Sequence, residues 1–90
     1  MGMDLFVAGA ESIDRVLTLP GVTVLMVDNQ LHAPGAPLPA GWRDVRLRTP
    51  AGMLSCKRRD GGVAIVVFGN AAPELVEMQR QIGTLLEEKR

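Results

Sequence analysis

A chain of 90 residues, 47% hydrophobic, with ten basic and ten acidic side chains, is long enough for one domain with one modest core. Its single cysteine, Cys56, cannot close an internal disulfide or build a zinc site, so a reducing, cytoplasmic setting is expected rather than a secreted one. No apolar stretch is long enough to cross a bilayer and the first residues lack the basic start of a signal peptide, so membrane and secretory roles are not expected.

Tyrosine is absent and the aromatic residues are Phe6, Trp42 and Phe68, which leaves Val, Leu, Ile, Met and Ala to make the core. Residues 4–8 are apolar after Asp4 and end at Gly9, as a short strand or a first helical turn would. Glu11 to Leu19 reads as a helix: Ile13, Val16 and Leu17 fall on one face, acids stand near its start, and Pro20-Gly21 stops it. Val22 to Val27 is an apolar strand, closed by Asp28-Asn29, and its composition places it beside the central strand or under a helix. Residues 29–42 hold Pro34, Pro37 and Pro39 with Gly35 and Gly41, which forbid a regular helix or central strand. This segment is expected to be an irregular crossover between strands that are not neighbours, and so long a loop in so small a domain also suits a ligand-binding lid.

Asp44 to Arg48 alternates polar and apolar residues, as a half-exposed strand does. Thr49-Pro50-Ala51-Gly52 turns the chain, Met53 to Arg58 returns, and Asp60-Gly61 supplies a second hairpin turn expected to be of type I′. The stretch Val63-Ala64-Ile65-Val66-Val67-Phe68 is the longest apolar run, bounded by glycines, and reads as a strand covered on both faces. Turn lengths set the register: Leu47 opposite Leu54, Val45 opposite Cys56, and Cys56 opposite Ile65. One face is then wholly apolar, whereas the other carries Arg46, Arg48, Met53, Ser55, Lys57, Ala64, Val66 and Phe68. A final helix over 73–88 starts with Pro73 and lays Leu75, Met78, Ile82, Leu85 and Leu86 along one stripe.

The fold class that follows is α+β: one domain over 1–90, a mainly antiparallel sheet of four or five strands, and helices at 11–19 and 73–88 packed on it. No resemblance to a known family emerges from these residues.

Charge is unevenly spread. Arg43, Arg46, Arg48, Lys57, Arg58 and Arg59 against Asp44 give the 43–59 segment a net +5, and the rest of the chain carries −5. As a nucleic-acid surface the cluster would grip phosphates, but no aromatic platform and no binding motif accompany it. Arginines around an apolar centre fit a protein interface better.

Elsewhere the chemistry is thin. His32 is the only histidine, and with Asp28 it makes too few ligands for a metal, so no metal and no cofactor is expected. Cys56 points inward in the register above and reads as a small hydrophobe rather than a nucleophile. Ser12 and Ser55 lack the elbow of a serine nucleophile, and catalytic residues are not identifiable. The leading expectation is therefore a non-enzymatic interaction or regulatory module, self-associating as a homodimer through Arg46, Arg48, Met53, Lys57, Val66 and Phe68. Nucleic-acid binding through the 43–59 cluster is the alternative, and a small-molecule site with Asp28, His32 and Trp42 under the proline loop is a third.

Overall fold

A computed structural model describes residues 2–33, 35–69 and 72–88. Among the described residues six strands form one antiparallel sheet: β1 (Gly2–Ala8), β2 (Thr23–Val27), β3 (Gln30–Leu31), β4 (Asp44–Thr49), β5 (Gly52–Arg59) and β6 (Gly62–Phe68), in the spatial order β1-β6-β5-β4-β2-β3. One helix follows, α1 (Pro73–Glu87). The class is α+β, with more strand and less helix than expected. No helix among the described residues is long and apolar enough to cross a membrane.

The meander takes the register that its side chains require. Leu47 faces Leu54, Val45 faces Cys56 and Cys56 faces Ile65. A slip by one residue would send this apolar set to the other face, so burial pins the pairing. Pro50 and Ala51 make the first turn, where Thr49 Oγ1 donates to the Gly52 carbonyl and accepts from the Ala51 amide. The second turn departs from expectation. Type I′ needs positive φ at both central residues, and here only Gly61 has it, at 83°. The hairpin with positive φ at both centres lies elsewhere, at Asp28 (52°) and Asn29 (68°), two residue types that tolerate this conformation. It folds Gln30 and Leu31 back on Val27 and Met26 as β3.

That hairpin changes the reading of residues 29–42. They do not cross between distant strands: β2 pairs directly with β4, Thr23 opposite Arg48 and Val27 opposite Val45. Nor does β2 lie beside β6, because β1 takes that place, running antiparallel from Gly2 opposite Phe68 to Ala8 opposite Gly62. The β1 segment is thus a full edge strand. A register shift between Val24 and Met26 leaves Leu25 as an extra residue, a bulge of the kind that twists a strand near a sheet edge.

The expected helix at 11–19 is not α-helical. Only Val16–Thr18 forms one turn of 3₁₀ helix. Nine residues are few for a helix, and local bonds compete: Ser12 Oγ accepts from the Asp14 amide and Thr18 Oγ1 donates to the Arg15 carbonyl. Pro20 then holds Leu19 extended, with ψ at 142°. The apolar side of this segment nevertheless faces the core, with Ile13 and Val16 fully buried.

The inner face of the sheet and its cover make one core, containing Val45, Leu47, Leu54, Cys56, Ile65 and Val67. Helix α1 lies over β1, β6 and the margin of β5, and also touches the 3₁₀ turn. Ile82 is its fully buried anchor, with Leu75, Met78, Leu85 and Leu86 packed partly against the core. Gly83 lets the helix settle on Leu5, because a β-carbon there would come within 2.6 Å of the Leu5 Cδ2. Pro73 opens the helix as expected, and Ala72 at the cap position makes no side-chain cap bond. Core beyond the reach of α1 is completed by Ile13, Val16, Val22 and Trp42.

Candidate functional site

Among the described residues no helix lies on the outer face of the sheet, and the antiparallel pairs place the residues on it. Asp4 stands opposite Val66 and Phe6 opposite Ala64. Val66 in turn faces Ser55, and Ala64 faces Lys57. Ser55 faces Arg46, Lys57 faces Asp44, and Met53 faces Arg48. All six residues expected to form a partner surface therefore share this face. Its middle is tightly filled: Ser55, Ala64 and Val66 are only 2–4% exposed. They are small side chains lying between long ones. Around them, Phe6, Met53 and Phe68 remain 48%, 48% and 55% exposed.

Phe6 and Asp4 belong to this face but were not expected there. Their signal was available: residues two apart in a strand share a side, and Leu5 and Val7 alternate with them toward the core. It could be used only once residues 2–8 were known to be an edge strand rather than a helical turn.

The basic cluster is less free than its sequence suggests. Lys57 pairs with Asp44 at 3.9 Å and lies 5.9 Å from the centre of the Phe68 ring. Arg59 pairs with Asp4 at 3.7 Å. Arg58 is not on the outer face at all. Its guanidinium stacks 4.2 Å from the centre of the Trp42 ring, Nη1 donates to the Ala40 carbonyl at 3.1 Å, and Nη2 donates to the Glu11 carbonyl at 3.2 Å. Strand alternation explains this, since neighbours in β5 point to opposite sides. Arg43, Arg46 and Arg48 form no ion pair among the described residues, and the last two belong to the outer face.

The three residues expected to meet under the proline loop do not share one cleft. The Asp28 carboxylate accepts from the Arg43 and Asp44 amides at 3.0 and 2.9 Å, fastening the β2–β3 turn to the start of β4. Trp42 is buried beneath Arg58. His32 alone borders a cleft beside β2, with its Nε2 2.9 Å from the Ala36 carbonyl. Among the described residues no group of three or more His, Cys, Asp or Glu side chains could hold a metal ion.

Cys56 is fully buried. Burial, with a smaller contribution from the Asp44 charge, pushes its thiol up to about 12, so it is a protonated core side chain at neutral pH. Helix α1 adds one buried polar group that the apolar stripe did not reveal: Gln79, 3% exposed, donates through Nε2 to the Ile65 carbonyl at 2.8 Å.

Comparison with protein-family models, with curated proteins and with solved structures returned no match for this chain.

Proposed function

We propose that the protein is a small interaction module that self-associates through the outer face of its sheet. The observation that carries this reading is the trio Phe6, Met53 and Phe68, half exposed around a filled centre on a face that no element among the described residues covers. At about 200 Å² for each phenylalanine and somewhat less for the methionine, half exposure of the trio leaves roughly 300 Å² of apolar surface, the size at which a patch on a monomer is often functional.

A second copy suits this face better than an unrelated partner because its charges are self-complementary. Asp4 lies on β1 and the unpaired Arg46 and Arg48 on β4, with β6 and β5 between them. A two-fold axis parallel to the strands would lay β1 of one copy over β4 of the other, bringing each acid to the other copy's arginines. The Arg59–Asp4 bridge does not prevent this: both side chains are about half exposed, and such pairs contribute little. Nucleic-acid binding is the weaker reading, since Lys57, Arg58 and Arg59 are already engaged.

Sedimentation velocity across a concentration series tests the proposal. We expect a dimer that Phe68→Glu or Arg46→Glu dissociates, and that Asp4→Arg combined with Arg46→Glu restores. A strict monomer at about 1 mM, where even an association of ~4 kcal/mol would register, refutes it.

A further inference from the structure

A partly enclosed apolar cleft lies away from the outer face, along the free edge of β2. It measures about 650 Å³, within the roughly 300–1,000 Å³ typical of small-molecule sites. Leu17, Val22, Val24, Leu25 and Leu31 supply its apolar wall, and Thr23 and His32 its polar side chains. We propose that this cleft binds a small, mostly apolar molecule carrying one hydrogen-bond donor.

Three observations converge on that chemistry. Leu31 is 89% exposed, a leucine held out at the rim of the cleft by the two-residue strand β3. A ligand beneath it would give that side chain an apolar contact. The polar character comes from His32. Its Nε2 faces a carbonyl, which can only accept, so Nε2 carries the hydrogen. In the neutral ring Nδ1 is then an acceptor, and no donor among the described residues reaches it. Finally, the free backbone edge is short. The His32 amide donates to the Leu25 carbonyl, and β3 takes Met26 and Val27. Only Thr23 and Val24 are left without a strand on that side, about 7 Å of edge, which is too little for an added peptide strand. The cleft therefore favours a compact ligand over an extended chain.

N-phenyl-1-naphthylamine, uncharged and with a single N–H, is a probe of this chemistry whose fluorescence rises in apolar sites. The full chain should bind it saturably at one per protein. Leu31→Lys, at an exposed position that folding does not need, should weaken binding about tenfold, the loss that follows when one leucine contact is removed. Ala36→Trp should fill the cleft and abolish binding, and Phe68→Glu should leave it unchanged. Amide signals of Leu17, Thr23, Leu31 and Ala36 should shift on titration. The proposal is overturned by unsaturable uptake, by binding indifferent to both Leu31→Lys and Ala36→Trp, or by shifts confined to the outer sheet face. Because Phe68→Glu is the variant that breaks the proposed dimer, failure of one reading leaves the other standing.

Discussion

Arg58 is the side chain on which the open end of the core depends. It covers Trp42, which is 3% exposed, and ties the segments around Ala40 and Glu11 to β5. Replacing it with alanine removes two charge-assisted hydrogen bonds. Their carbonyls belong to exposed residues that water can reach, so each bond is worth only about 1 kcal/mol. A cation–π contact with a buried indole adds about 1–2 kcal/mol. Against this, the buried Nε of Arg58 has no acceptor, and truncation relieves that cost by about 1 kcal/mol. Arg58→Ala should therefore destabilise the fold by about 2–3 kcal/mol. With a urea m-value of about 1 kcal/mol/M for a chain this short, the midpoint should fall by roughly 2–3 M. Trp42 is the only tryptophan, so its fluorescence reports the transition directly. Arg58→Lys keeps the charge but not the planar stacking or the two-pronged donation, and should lose about half as much. Arg58→Met, which retains a stem to cover the indole, separates packing from hydrogen bonding. A loss below about 1 kcal/mol for Arg58→Ala, or a lysine variant equal to the parent, would refute the clamp.

Two further outcomes follow from the core. Burial pushes the Cys56 thiol up from an ordinary 9.0 to about 12 in the folded protein, so above pH 9 the unfolded chain binds fewer protons than the native one. Its contribution to stability is complete below pH 9 and is lost as pH rises toward 12; urea midpoints of the parent should fall between about pH 8 and pH 10 more than those of Cys56→Ala. Native protein should also resist a thiol reagent that reacts at once in urea, and rapid native labelling would contradict the buried placement. The two buried glycines should behave oppositely on conversion to alanine. At Gly62 a β-carbon would strike the Val7 carbonyl oxygen and approach the Phe6 Cζ to 2.8 Å, so β1 must move and about 2–4 kcal/mol should be lost. At Gly83 it would meet only the end of the Leu5 side chain, which can turn aside, while the helix gains about 1 kcal/mol of propensity, so the net change should be near zero. Thermal melts of the two variants check the contrast.

What could be read without coordinates was whatever short-range chemistry decides. The meander from Asp44 to Phe68 was legible because alternation and turn length fix a register that burial then enforces. Helix α1 was legible because five apolar residues keep one spacing behind an N-terminal proline. The errors lay where a choice depends on distant partners. Residues 2–8 gain their strand only by pairing with β6, some sixty residues away. The segment at 11–19 has a correct apolar face, but side-chain bonds to its own backbone replace the helix. At the candidate site, alternation identified the partners of Phe68 and turns Arg58 inward, whereas the stacking of Arg58 on Trp42 joins segments that no local spacing relates. His32 meets β2 only because a turn at two non-glycine residues, Asp28 and Asn29, folds the chain back early.

Six strands expose more sheet than the one described helix can cover. At about 4.8 Å per step the sheet is roughly 24 Å across, and a helix is about 10 Å wide. One helix can shield about two strands, and α1 does so over β1 and β6, reaching only the margin of β5. The 10–22 segment and Trp42 complete the inner face, and no described element lies over the other. An antiparallel sheet with one solvated face normally alternates apolar and polar residues. Strand β4 does so, presenting Asp44, Arg46 and Arg48 outward. Strand β6 does not, presenting Ala64, Val66 and Phe68, and β1 and β5 add Phe6 and Met53 beside it. Alternation thus fails on the β1-β6-β5 side of the face and holds at β4, which sets an apolar patch beside charged residues. Flanking side chains shield the centre well enough for a lone molecule to fold, as the 4% exposure of Val66 attests, but they leave Phe68 at 55%. The proposed second copy would cover that remaining surface, and this is why Phe68→Glu, rather than a change at Val66, separates association from folding.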